Sequence, residues 1–272
     1  MTTAAAFEDL HFEAPPINEV VCGLSFDPVK ELLAPYLGLL WERYKPAFST
    51  CQELPPLPTV FETATGTGGE PEFQILDLPP LPRIWFEETE GNGLIQVQRE
   101  RFHYNWRRKS DDDEYPHFES VFALFKEKLD AFRDFLRELR PEELTPKQLE
   151  LTYVNHIDFS LGLDSVIDMG KVFSDFSWKR HEGRLEPESA NWRLAFRFPN
   201  GQGRLHVNVR SAMRISDSKP IILFDLTARG IGDDRTQKGI DTWFRDAHDS
   251  IVRAFVELTT RDMQEAVWRQ KK

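Results

Sequence analysis

Phe118, Phe122, Phe125, Leu129, Phe132, Leu136 and Leu139 recur at spacings of three and four and stop short of Pro141. That periodicity predicts a long helix with one broad apolar stripe and a largely charged outer face. A stripe made mostly of phenylalanine has to be covered, and the rest of the chain supplies alternating, strand-like segments to cover it. The expected fold class is therefore α+β, with antiparallel sheet carrying long helices on one face.

The cleanest alternation lies in 204–215. Leu205, Val207, Val209, Met213 and Ile215 share one face, and Arg204, His206, Asn208, Arg210 and Arg214 share the other. In 192–198, Trp192, Leu194, Phe196 and Phe198 oppose Arg193 and Arg197, while in 148–160 the residues Leu151, Tyr153, Asn155, Ile157 and Phe159 fall on one side. Residues 94–109 read as one strand with a change of phase. Ile95 and Val97 begin a face that Arg99, Arg101, His103 and Asn105 continue, and Phe102, Tyr104 and Trp106 follow the parity of Gln96 and Gln98. A bulge, or passage of the strand from one packing environment to another, is the expected cause.

In chain order, residues 1–13 are expected to form a loosely held arm, and Ile17 to Phe26 a first strand. Asp27-Pro28 is expected to open a helix that buries Leu32, Leu33, Tyr36, Leu37, Leu40 and Trp41, with Pro35 kinking or splitting it. The proline- and glycine-rich stretch 46–82 reads as an extended insertion with a short strand from Phe73 to Leu76. A hairpin turning at Gly91-Asn92-Gly93 joins 83–89 to 94–109. After the strand at 148–160 come a short helix between Asp164 and Phe176, three antiparallel strands, and a long helix from Thr236 to Leu258. Thr259 or Thr260 is expected to cap a last short helix ending near Trp268.

The order strand, helix, hairpin strands, long helix thus occurs twice, in 14–145 and in 146–272. Two tandem units packed as one body are expected, with sheets either separate or joined edge to edge in one curved pseudo-twofold sheet. Such a saddle resembles the TATA-binding-protein-like fold, an analogy of shape that carries no function.

The net charge of −11 argues against a general nucleic-acid coat, but the charge is unevenly spread. Residues 1–90 carry fifteen acids and four bases, whereas 94–109 are net +4 and 191–229 net +5. The basic residues therefore lie in strands. If the helices cover one sheet face, the other is expected to present Arg99, Arg101, His103, Asn105, Arg193, Arg197, Arg204, His206, Asn208 and Arg210. Two readings compete for that row: a solvated face with arginine stems lying on it, or a binding surface for phosphates or a partner's acidic segment. Phe102, Tyr104 and Trp106 are assigned to the core in preference to base stacking.

Signatures of catalysis are missing. Gly66-Thr-Gly-Gly69 is not followed by Lys and Ser or Thr, and Gly23-Leu-Ser-Phe-Asp27 lacks the second glycine of a nucleophile elbow. Tyr153, Asn155, His156 and Asp158 straddle both faces of their strand and are read as structural. No catalytic residue, metal site or cofactor is expected. Cys22 and Cys51 show no ligand spacing, no apolar run is long enough for a bilayer, and the first residues do not read as a secretion signal, so a cytoplasmic setting without membrane contact is expected.

The motifs Phe12-Glu-Ala-Pro-Pro-Ile-Asn-Glu-Val-Val21, Phe102-His-Tyr-Asn-Trp106 and Tyr153-Val-Asn-His-Ile157 together resemble a sporadically distributed prokaryotic family of unknown function. The resemblance implies a bacterial cytosolic protein from mobile or defence-related gene clusters that acts with neighbouring gene products. It carries no substrate and no catalytic residue. A non-enzymatic adaptor, inhibitor or sensor engaging a protein partner is the first functional expectation, with a homo-oligomer as the other partner arrangement. Nucleotide or nucleic-acid binding across the arginine-rich face is the alternative, and an enzyme whose acids and histidines (His103, His156 or His206) converge only in the fold is the third reading.

Overall fold

The computed structural model describes residues 11–58, 60–62, 81–159, 162–163, 165–179, 183 and 185–271. The strand expected at Phe73 to Leu76 lies outside them. Among the described residues, nine strands form one fully antiparallel sheet in the order β3 (Thr50–Leu54), β4 (Arg83–Glu87), β5 (Gly93–Gln98), β6 (Arg101–Arg107), β2 (Ile17–Phe26), β7 (Pro146–Asp158), β10 (Pro220–Gly230), β9 (Gly203–Met213) and β8 (Asn191–Arg197). A separate two-residue ladder pairs β1 (His11–Phe12) with β11 (Gln270–Lys271). The described end of the arm is thus tied to the other end of the chain. At the centre of the large sheet β2 lies directly against β7, so no gap in the hydrogen bonding separates the two halves of the chain.

The long helices α2 (Phe118–Leu139) and α4 (Gln237–Leu258) cover one face: α2 packs on β6 and β2, α4 on β7, β10 and β9. Their stripes meet the sheet through aromatic rings, as the count of 21 phenylalanines foreshadows. Phe132 of α2 stacks on Phe102 with ring centres 5.0 Å apart, Phe255 of α4 stacks on Phe224 at 5.8 Å, and Phe122 meets Phe244 at 4.8 Å where the helices touch. Offset and edge-on contacts of this kind add to the large area each ring removes from water. Phe102, Tyr104 and Trp106 are all buried in this layer. The Thr236 hydroxyl caps α4 by accepting from the Gly239 amide.

Several expectations are corrected. Residues 94–109 are two strands. Gln98 pairs with Arg101, so Arg99 and Glu100 form a tight reversal, and the change of phase is a chain turn and not a bulge. Neither turn residue is glycine, asparagine or proline, so nothing marked the reversal. The consequence is a change of face. Gln96 lies opposite His103 and Gln98 opposite Arg101, so the polar row of β6 shares its side with the glutamines, and Ile95 and Val97 join Tyr104 and Phe102 in the core.

The first helix, α1, spans Ala34–Tyr44; Asp27-Pro28 does not open it, and Pro35 occupies its first turn, where the missing N–H costs nothing. Leu33 therefore precedes the helix and is exposed, while Leu37 and Leu40 are buried. Met213 and Ile215, expected on the apolar face of this strand, are 60% and 97% exposed: β9 ends at Met213, and Ile215 lies beyond it. The short helix of the second half is a 3-10 turn at Val166–Asp168 followed by α3 (Met169–Val172), and a π-helical turn occupies Met263–Val267.

Candidate functional site on the open sheet face

The face turned away from α2 and α4 is polar from β4 to β8. Register fixes its composition: Arg101, His103 and Asn105 of β6 lie beside Ser25, Gly23 and Val21 of β2, then Gln148, Glu150 and Thr152 of β7, then Arg229 and Thr227 of β10, then Arg204 and His206 of β9. Arg99 is not among them. It is buried in the β5–β6 turn, and its Nε donates to the Leu32 carbonyl.

His103 needs the glycine beside it. A Cβ on Gly23 would lie 2.6 Å from the imidazole, so only glycine lets the ring lie across β2 toward Glu150. Burial, together with Arg101, Arg229 and Arg83, outweighs Glu150 and lowers His103 to about 4, leaving a neutral imidazole at pH 7. Burial also pushes the Glu150 carboxyl up, but Arg229, His103 and Arg101 outweigh it and hold it below its ordinary value. Arg229 Nε donates to Glu150 at 2.5 Å.

A second set of bonds runs across β4, β5, β6 and β2. Trp85 Nε1 and Arg83 Nη1 both donate to Gln96 Oε1, at 2.9 and 3.2 Å. Gln96 donates to Asn105 Oδ1, and Asn105 donates to Glu19 Oε1. Burial holds Glu19 above its ordinary value despite Asn105 and Arg107, and Asp225 across the face adds to the rise. Arg83 and Arg107 both lie over the Trp85 ring at 5.3 Å.

An extended segment then crosses this floor. Gln98 grips Leu57 at both main-chain atoms, accepting from its amide at 2.9 Å and donating to its carbonyl at 3.2 Å. Arg101 donates to the Pro58 carbonyl, and Gln148 bonds the Val60 carbonyl and the Glu62 amide, each at 2.7 Å. Glu62 ends the crossing between Arg204, at 2.8 Å, and His206, at 2.5 Å. Burial raises the Glu62 carboxyl, but these two partners outweigh it and hold it low. We call residues 57–58 and 60–62 the strap. Between it and the floor lies a cavity of about 500 Å³ that contains Arg83, Trp85, Arg101, His103, Glu150 and Arg229 among its lining.

The ten residues expected on this face therefore divide. Arg101, His103 and Asn105 meet in the cavity, and Arg204 and His206 hold the strap. Asn208 and Arg210 face Asp225, with Arg210 at 3.8 Å, and Arg193 and Arg197 lie exposed on the edge strand β8. Much of the expected positive charge is thus answered by the chain's own carboxylates. Arg83 and Arg101 are different: among the described residues neither has a carboxylate at ion-pair distance. Burial and the neighbouring Arg101 lower Arg83, and burial lowers Arg101, yet both stay guanidinium ions at neutral pH.

Glu19, Glu62, Arg83, Trp85, Glu150 and Arg229 were missed by sequence reasoning. Alternation in β7 and β10 could have found Glu150 and Arg229; nothing local could have brought Glu62 to them. Among the described residues no group of three His, Cys, Asp or Glu is arranged to hold a metal, and no helix is long and apolar enough to cross a membrane. Comparison with known proteins finds no matching family model, no similar curated protein and no similar solved structure.

Proposed function

We propose that this chain is a binding protein whose working surface is the cavity under the strap, and that its ligand is a nucleotide-sized anion. The observation that carries this reading is the pair Arg83 and Arg101, two partly desolvated cations that among the described residues have no carboxylate at ion-pair distance, on a floor where Arg107, Arg204 and Arg229 each have one. Unpaired buried cations are costly, and a phosphate is the group that guanidinium forks complete best. The bonded chain from Trp85 through Gln96 and Asn105 to Glu19 holds the floor rigid, as a preformed site requires.

The test is calorimetric titration with AMP and ATP at 50 and 200 mM salt. Binding should weaken as salt rises, and Arg101→Gln should weaken it about 10–100-fold, the worth of a charge-assisted bond. A protein that binds neither nucleotide at low salt does not have this function.

A partner protein with an acidic, extended segment is the second reading, favoured by the strap itself: the face already holds an extended stretch ending in a glutamate. It accords with the family resemblance and with an adaptor that acts beside neighbouring gene products of a prokaryotic cluster. A cytoplasmic setting accords with two free cysteines, Cys22 and Cys51. The strand order also supports two units related by a pseudo-twofold between β2 and β7, since β6, β5 and β4 follow outward on one side as β10, β9 and β8 do on the other. Native mass spectrometry of protein from its own host separates the readings: co-purified nucleotide favours the first, a protein-only complex the second.

A further inference from the structure

On the opposite side of the sheet, under the helices, lies a second cavity of about 560 Å³. Its floor includes Tyr153 and Leu226, its walls Phe118 of α2 and Val252 of α4, and Phe12 of the arm bounds it. Phe12 is held there by edge contacts with Phe255 at 5.5 Å and Trp268 at 6.4 Å. The lining is mainly apolar. Of the charged residues around it, Glu119 and Arg245 lie 3.3 Å apart and pair with each other.

Three polar groups converge in this apolar setting. Tyr115 and Tyr153 share a hydrogen bond between hydroxyls at 2.9 Å, and the Tyr153 hydroxyl lies 3.0 Å from His248 Nδ1. The His248 ring is stacked flat on Phe118, with centres 4.3 Å apart and planes within 6°. Burial lowers His248 to about 4 and raises both tyrosines, so all three groups are neutral over the physiological range. Among the described residues, His248 Nε2 has no protein partner.

The geometry points to a binding site for a small neutral molecule, mostly apolar and carrying one hydrogen-bonding group that meets His248 Nε2. Size and lining set the apolar body, because a cavity of this volume with a mainly apolar surface takes its affinity from buried apolar area. The three-membered chain sets the head group. With Tyr115 donating to Tyr153 and Tyr153 donating to Nδ1, Nε2 carries the proton and donates. With Nδ1 protonated, both hydroxyl protons turn round and Nε2 accepts. The site thus serves an alcohol, an amine or a carbonyl without any charge being buried. No residue of the anion cavity takes part, so the two sites succeed or fail separately.

N-phenyl-1-naphthylamine, a neutral fluorophore with a single N–H, is the probe. Its fluorescence should rise on binding with one-to-one saturation. His248→Phe keeps the stack on Phe118 but removes the acceptor, and should weaken binding about tenfold. Val252→Trp should fill the cavity and abolish the signal. In the unsubstituted protein the His248 Nε2 nitrogen resonance should move during the titration, which requires no variant to fold. Absence of saturable binding, a stationary His248 resonance, or binding that both variants leave unchanged overturns the proposal.

Discussion

At the scale of single residues, two histidines are held neutral in the fold. His103 lies over Gly23 beside Glu150 and three arginines, His248 on Phe118, and both are lowered by burial to about 4. An unfolded chain takes up protons at these positions near the ordinary histidine value of about 6.5, whereas the fold resists until about 4. Below 6.5 the unfolded state therefore binds more protons, and stability falls as pH drops through that window, levelling off for these groups below 4. Glu19 and Asp225, held high by burial, act in the opposite sense. Comparison with variants isolates the histidines: in His103→Gln and in His248→Gln the urea midpoint should fall less steeply between pH 6.5 and 4 than in the unsubstituted protein. Equal slopes would mean that neither imidazole is shielded as described.

At the scale of elements, the strap is the piece no reading of its own sequence could place. Leu54-Pro-Pro-Leu-Pro58 says only that the segment is extended. Its position comes from two glutamine side chains on strands 50 residues apart, Gln98 and Gln148, whose amides match the main chain of a passing extended segment. The expected effect of Gln148→Ala is loss of exchange protection at the Glu62 amide by about fivefold, in line with a net hydrogen bond of about 1 kcal/mol, with the Phe102 amide in β6 unaffected. Hydrogen exchange with mass-spectrometric or NMR detection reads both sites at once; an unchanged Glu62 amide would mean that Gln148 does not hold the strap.

Legibility at this scale followed periodicity. The helices α2 and α4 and the strands β2, β7, β9 and β10 were visible in the spacing of apolar residues, and so was the polar face of the second half. The β5–β6 turn was not, because Arg99-Glu100 carries no turn chemistry, and that omission put Arg99 on the wrong surface and paired the arginine row with the wrong neighbours. The carboxylates among the arginines were equally invisible. Glu62 and Arg204 are 142 positions apart, and only the complete sheet brings them to 2.8 Å.

At the scale of the whole molecule, the core is not divided between the first and second halves of the chain. Phe122 against Phe244 joins α2 to α4, and β2 against β7 joins the strands, so one buried cluster runs through both halves. A single cooperative transition is expected, with calorimetric and van't Hoff enthalpies in agreement. Two resolved transitions in scanning calorimetry would show that the halves unfold independently. The small β1–β11 ladder has its own bearing on how the molecule would carry mechanical load. Because His11 opposes Lys271 and Phe12 opposes Gln270, residues 11 and 271 lie side by side. Tension applied between them pulls the ladder open like a zipper, one bond at a time, and the nine-stranded sheet feels the load only after that latch has parted. The ladder thus acts as a mechanical fuse for the sheet behind it.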